Sequence, residues 1–267
     1  MKVTSVELED KSFIQKESPA CSLFLQITKT SARFLIVDQQ QNVRLLQEIE
    51  TSNLADEKSI YLNLRYEQVT ILSLPETFIF IPEELYDPEN PTELDQFLLL
   101  NAEEEILERS LSDPKITTRF TVSGRIQELQ RKIRVSSTMP SPNLMIAELL
   151  SLTSGQDDVI GITLHAHEFE IAYARNKQFM FYNRFPKATA DEFNYFLLAV
   201  FEQLKIDPAL TAFHLSGEVS KGDENHARIE KYSAHTHFLA AAKEYPFPLD
   251  PDKANRYHQL LMLSRCV

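Results

Sequence analysis

Glycine is scarce in this chain, with 5 in 267 residues. No Gly-x-x-x-x-Gly-Lys and no Gly-x-Gly-x-x-Gly occurs, so neither common glycine-built phosphate loop is present. Cysteine is scarcer still: Cys21 and Cys266 stand near opposite ends, and two thiols make no disulfide framework. Cys21 falls in an apolar strand pattern, a packing position rather than that of a reactive thiolate. Basic residues are in deficit, 27 Lys and Arg against 39 Asp and Glu, for a formal net charge of −12. Binding to a phosphate backbone rests on clustered Lys and Arg, so no nucleic-acid partner is expected. The longest apolar run, Tyr195 to Phe201, is far below the ~20 residues of a membrane span. The opening residues, MKVTSVELEDKSF, carry no apolar core of a signal peptide. No membrane insertion is expected, and the expected location is the cytoplasm.

What is present is ordinary globular material, 43% hydrophobic and 25% charged. The length suits one large domain or two of common size. The chain is organised around Gln178 to Pro208. Phe179, Phe181 and Phe185 alternate with Met180, Tyr182 and Arg184, the period of two of a strand. Thr189 stands three residues before Glu192, a capping box that starts a helix. Phe193, Phe196, Leu197, Val200, Phe201 and Leu204 then recur three and four apart and form one broad helix face. At ~25 cal/mol per Å² of buried apolar surface, such a face contributes several kcal/mol only beneath a sheet. Asp207-Pro208 ends the helix. Tyr195 and Leu198 lie on its other side, where a second core contact is expected.

Residues 1–19 read as a loose lead-in. Cys21–Thr30, Ala32–Asp38 and Arg44–Thr51 read as three strands joined by polar turns. Asn53–Tyr61 reads as weakly helical, and Val69–Leu74 with Thr77–Ile81 as a strand pair around Pro75. Asn90 and Glu93 read as a cap opening a helix that runs to Asn101, and Glu103–Glu105 as a solvated helix face. A strand at Thr117–Val122, a helix after Ser123, a strand at Arg134–Thr138 and a helix at Pro142–Leu152 follow. Ser151–Asp158 is small and polar, the pattern of a linker. After it the order restarts: strands at Val159–Leu164, Phe169–Arg175 and Gln178–Phe185, then the organising helix. A strand at Thr211–Ser216, a helix at Asp223–Tyr232, a strand at Thr236–Ala240 and a helix at Pro251–Leu263 complete the chain. Three strands, helix, strand, helix, strand, helix is thus read twice. The expected division is 1–154 and 155–267, with 52–115 partly an inserted subdomain.

A duplicated ribonuclease-H-like unit of this order resembles the actin-like superfold of actin, sugar kinases and heat-shock chaperones. The chain more closely resembles a bacterial family, domain of unknown function 3822. The residues that carry the resemblance are FMFYNRF at 179–185, the spacing from Thr189 through Asp191-Glu192 to Tyr195, and EQLKIDP at 202–208. LSGE at 215–218 and ILSLPETFIFIPEELYD at 71–87 fit it as well. The layout of 69–138 is also similar to the actin-like cytoplasmic scaffolds of type IV pilus and type II secretion machines. The fold class implied is α/β with mixed sheets: two ribonuclease-H-like lobes in an actin-like ATPase-type arrangement, with an insertion in the first.

The resemblance also says where to look for nucleotide chemistry. The superfold holds phosphates with an Asp-x-Gly type turn in the first hairpin of each lobe, and with a Gly-Gly turn after the fourth strand of the second. The corresponding turns here, Gln26–Ser31 and Gly161–His167, contain no aspartate and no glycine at the turn itself. Leu215-Ser216-Gly217-Glu218 keeps one glycine and places a carboxylate where the other would be, unfavourable beside a polyphosphate. A degenerate nucleotide turn at Ser216, Gly217 and Glu218 is the remaining cofactor site to weigh; no catalytic residue and no cofactor is expected. A ribonuclease-type site fails too, because Cys21–Thr30 offers none of the carboxylates that two metal ions need.

All seven histidines lie in the second half. Two His-x-His pairs, His165/His167 and His235/His237, place both rings on one strand face and could chelate a metal with Glu168 or Glu170. The alternative is a polar turn beside an exposed strand end. Three functions are therefore carried forward. The first is a non-enzymatic pseudo-ATPase that binds another protein or itself, with Tyr182, Asn183, Arg184 and Tyr195 as docking candidates beside Glu218. The others are a metal-dependent enzyme using the histidine pairs, and a degenerate nucleotide-binding protein.

Overall fold

The computed structural model describes residues 4–10, 13, 15–51, 60–90, 93–153, 157–239 and 251–266. The chain divides into two lobes, Met1–Asn143 with Leu263–Val267, and Leu144–Met262. In the first, β1 (Thr4–Glu9), β2 (Cys21–Ile27), β3 (Ser31–Asp38), β4 (Val43–Glu50), β5 (Gln68–Ser73) and β9 (Ser137–Pro140) form one sheet. Its order is β1-β4-β3-β2-β5-β9. Between β5 and β9 come β6 (Phe78–Pro82), β7 (Glu105–Ser112), β8 (Lys115–Val122) and helix α1 (Gly124–Lys132). The three strands make a separate antiparallel sheet, β6-β8-β7, the inserted subdomain.

Helix α2 (Ser141–Leu152) leads into the second lobe, with β10 (Asp158–Leu164), β11 (Glu168–Arg175), β12 (Gln178–Pro186), α3 (Ala190–Leu204), β13 (Ala212–Gly217), α4 (Glu224–Ile229), β14 (Thr236–Phe238), α5 (Pro251–Arg256) and α6 (His258–Leu263). The sheet runs β12-β11-β10-β13-β14. Setting β1 aside, the first-lobe order β4-β3-β2-β5-β9 matches it position by position. In both lobes the first three strands pair antiparallel and the last two join in parallel. This is the duplicated order expected from the sequence.

Helix α3 forms as its sequence dictates. The Thr189 hydroxyl accepts the Glu192 N–H at 3.1 Å. The returning Glu192 carboxylate takes the N–H of Ala188, one residue earlier than a standard box. At the other end Lys205 adopts the left-handed conformation usually left to glycine, and Ile206 N–H closes on Phe201 O at 2.9 Å. Phe193, Leu197, Val200 and Phe201 are buried, and Phe193 meets Phe169 edge-on at 4.8 Å. The opposite face of the sheet is approached by α2, closely enough at Gly161 that a Cβ there would stand 3.2 Å from Met145 Cε.

Several local expectations change. The lead-in contains strand β1, paired with β4. The stretches 69–74 and 77–81 are both strands but lie in different sheets: β5 pairs with β2, and β6 with β8. Glu105 opens strand β7 rather than lying on a helix, and Glu93–Phe97 is a short 3-10 turn. The closing helix breaks at Tyr257 into α5 and α6. Most of Asn53–Tyr61 lies outside the described residues. Tyr195 (67% exposed) and Leu198 (40%) are open to solvent and make no second core contact. The sheet already receives the apolar stripe of α3, and Tyr232 and Arg228 reach Asn194 and Asp191 on its flank, so Tyr195 and Leu198 stay outside both contacts.

Candidate functional site

The hairpin register defines one comparable row in each lobe. Gln26 stands opposite Arg33, and Arg33 opposite Glu48. One row inside the second-lobe hairpin, Thr163 stands opposite Glu170, and Glu170 opposite Arg184. Both rows lie one residue in from the last pair before the turn, Ile27 with Ala32 and Leu164 with Phe169. Polar side chains on strands buried on both faces need partners, and each row finds them in a different way.

In the first lobe the centre is a cation. Arg33 Nε donates to Glu48 Oε1 at 3.1 Å, both side chains being 3% exposed, and Arg33 Nη1 donates to Gln26 Oε1 at 3.2 Å. The turn beyond the row closes on itself. Thr28 Oγ1 accepts the Ser31 N–H at 2.9 Å and the Thr30 N–H at 3.3 Å. Thr28 N–H donates to Ser31 O at 2.9 Å. The Thr51 hydroxyl and N–H take Thr28 O and Thr30 O, at 3.1 and 3.0 Å. The turn's polar groups are thus matched by its own strands.

In the second lobe the centre is a carboxyl group. Glu170, fully buried, accepts from His165 Nε2 at 2.9 Å and Gln259 Nε2 at 2.7 Å on Oε2, and from the Tyr182 hydroxyl on Oε1. Gln259 comes from α6, 89 residues away in sequence. The Thr163 and Ser216 hydroxyls lie 2.8 Å apart in the same layer. His165 N–H also donates to Glu168 O at 2.9 Å, so both backbone and ring pin this turn.

The glycine turn after β13 is explained by packing. Gly217 has φ +87°, and a Cβ there would stand 2.1 Å from Leu164 O. Glycine is the residue that this close approach of β13 to β10 admits. Glu218 N–H donates to Leu164 O at 2.7 Å, and Asn255 Nδ2 covers Val219 O at 3.1 Å and Gly217 O at 3.4 Å. The Glu218 carboxylate faces Arg256 Nη2 at 3.6 Å. Ser216, Gly217 and Glu218 are therefore each engaged by neighbours within the lobe.

The other sequence candidates separate. His165 turns inward to Glu170, whereas His167 is exposed. His235 stands beside Phe213 at the start of β13, and His165 follows Leu164, which pairs with Gly217 at its end. About 3.3 Å per residue along the strand puts the two histidine pairs roughly 15 Å apart. No group of three or more His, Cys, Asp or Glu suited to a metal occurs among the described residues. His237 instead packs against His214, ring centroids 5.3 Å apart, and burial together with that neighbour lowers the His214 pKa. Of the docking candidates, Tyr182 is buried with its hydroxyl on Glu170, a correction to its expected place at a docking edge. Asn183 Oδ1 accepts the Arg184 N–H at 2.8 Å, and Arg184 Nε faces Glu168 Oε2 at 3.3 Å. Tyr195 is the one of the four with a largely exposed ring. Asp158, expected as a linker charge, accepts the Tyr173 hydroxyl at 2.7 Å.

Gln259 and Asn255 escaped the sequence reading. Their only local sign is an amide on an otherwise apolar helix pattern, and the partners lie on strands far along the chain.

Residues 10–236 match the family described as "Protein of unknown function (DUF3822)". The chain belongs to this family. As a DUF3822 member it has the actin-like ATPase fold, shown by solved structures. A protein from Bacteroides thetaiotaomicron VPI-5482, described as having an actin-like ATPase fold and unknown function, is similar at 18% identity and TM-score 0.78. That match covers 94% of this chain and 98% of the other. The PilM-PilN type IV pilus biogenesis complex is similar at 11% identity and TM-score 0.62, over 92% of this chain and 98% of that one. At these identities the likeness shows the fold alone. No match was found among curated proteins. Among the described residues, no helix is long and apolar enough to cross a membrane.

Proposed function

We propose that this chain is a non-enzymatic actin-like pseudo-ATPase, a cytoplasmic module that works by docking on another protein or on a second copy of itself. The observation that carries the reading is the first-lobe turn, where Thr28 Oγ1 takes the amides of Thr30 and Ser31. A phosphate-binding turn would keep such amides for its ligand. The second-lobe turn supports the same reading, because His165 is committed to Glu170, and Gly217 is required by Leu164. The Glu218 carboxylate in this lobe adds charge of the wrong sign for a polyphosphate.

Docking is favoured by what the surface offers. Tyr195 and Leu198 form an exposed i, i+3 pair on α3, a helix that its own sheet already holds. The PilM-PilN neighbour is itself a protein–protein complex, which supports docking as a use of this fold.

Calorimetric titration with Mg-ATP, run beside a phosphate-release assay, tests the proposal. No binding heat and no release are expected. Micromolar binding with turnover would make the chain an ATP-using enzyme, and binding without release a nucleotide sensor.

A further inference from the structure

At the end of β2 away from its turn, the first lobe holds a pocket of about 480 Å³. That lies within the roughly 300–1,000 Å³ of small-ligand sites. Its floor is apolar: Val69 at the start of β5, with Leu62, Leu64, Tyr66 and Ile133 half-buried beside it. The Tyr66 hydroxyl is turned away into the lobe, donating to Tyr61 O at 2.9 Å.

The rim is cationic. Arg65, Lys132 and Arg134 line it, all three exposed, and among the described residues no acidic side chain shares the lining. Among the described residues, the side chains of Arg65, Lys132 and Arg134 have no hydrogen bond or ion pair. Lys132 has a local reason for its place, since a cation in the last turn of α1 is favoured by the helix dipole. Arg65 and Arg134 lie outside the helix and have no such reason. In a chain of net charge −12, three cations without a partner among the described residues stand around one apolar floor and repel each other.

From this combination we propose that the pocket binds a small amphipathic anion, a carboxylate or phosphate monoester carrying an acyl or aromatic body. The anionic head sits among Arg65, Lys132 and Arg134, and the body covers Leu62, Leu64 and Ile133. Arg suits such a head because its planar fork can hold two oxygens at once. The site lies at the opposite end of β2 from the first-lobe turn and does not depend on the pseudo-ATPase reading, so it stands or falls whatever Mg-ATP does.

Calorimetry on the full chain with three probes tests it: decanoate, 1-decanol as the uncharged chain, and inorganic phosphate as the bare anion. Decanoate is expected to bind at least about tenfold more tightly than either control, a difference of about 1.4 kcal/mol. The Arg65→Gln/Arg134→Gln variant should lose about tenfold in decanoate affinity at unchanged melting temperature, and Arg65→Lys/Arg134→Lys should recover part of it. Octyl phosphate in place of decanoate then separates a phosphate-headed ligand from a carboxylate. Three results would overturn the proposal: no binding by either amphiphile, decanol binding as well as decanoate, or decanoate affinity unmoved in the double Gln variant.

Discussion

The two hairpin rows occupy one topological position and carry opposite kinds of group at their centres, a guanidinium in one and a carboxyl in the other. Arg33 in the first lobe is met by a carboxylate and an amide from the two flanking strands. Glu170 in the second is met by a ring, a hydroxyl and an amide, the last from α6. The first arrangement is a local pair within one sheet. The second joins three segments of the lobe through a single carboxylate. The fold therefore places a buried polar layer just behind each turn, and this chain closes each layer with its own side chains. A site filled in that way holds its turn still and leaves few groups for a ligand.

The comparison can be broken most severely at Gly217. Gly217→Ala drives a Cβ into Leu164 O at positive φ, so a loss beyond about 4 kcal/mol or failure to fold is expected, read by urea unfolding. Glu170→Ala comes next, since it strands His165, Tyr182 and Gln259 together; about 3–5 kcal/mol should be lost. In the first lobe, Arg33→Met alone should cost roughly 3 kcal/mol by taking the guanidinium away from the buried Glu48 carboxylate. Adding Glu48→Met should recover most of that loss, because an apolar pair can replace a buried ion pair. The matching rescue should fail in the second lobe, where no single substitution removes all three donors.

The smallest expected effect is a pH slope. Burial first, and then His237, lower the His214 pKa from 6.5 in the folded chain. The unfolded chain therefore takes up the proton first as pH falls, and stability declines from about pH 6.5 downward while the full contribution is present above it. His214→Phe should flatten the dependence of the unfolding midpoint between pH 7 and pH 5, and an unchanged slope would assign it to other groups.

What could be read in advance follows from how local each signal is. The three strands and helix at 159–204 carry their own period and cap, and they form where the pattern put them. Glu170 reads from the sequence only as a possible metal ligand beside His165; its place opposite Thr163 on a strand buried on both faces appears once the hairpin is paired. The choice of partner is not legible in the sequence, since Gln259 arrives from the last helix and β5 chooses β2 over its neighbour β6. Long-range pairing is decided by topology, and nothing in a short window encodes it. Glu103–Glu105 misled for a related reason. A half-exposed strand such as β7 is rich in charge, and its alternation weakens until β8 is placed beside it.

The amide resonances of Thr30 and Ser31, followed while Mg-ATP is added to the full chain, test the central claim most directly. Held by Thr28 Oγ1, both should keep their shifts and their hydrogen-exchange protection at saturating nucleotide. A saturable shift of either amide, with protection rising as nucleotide binds, would show a working phosphate cradle and contradict the account.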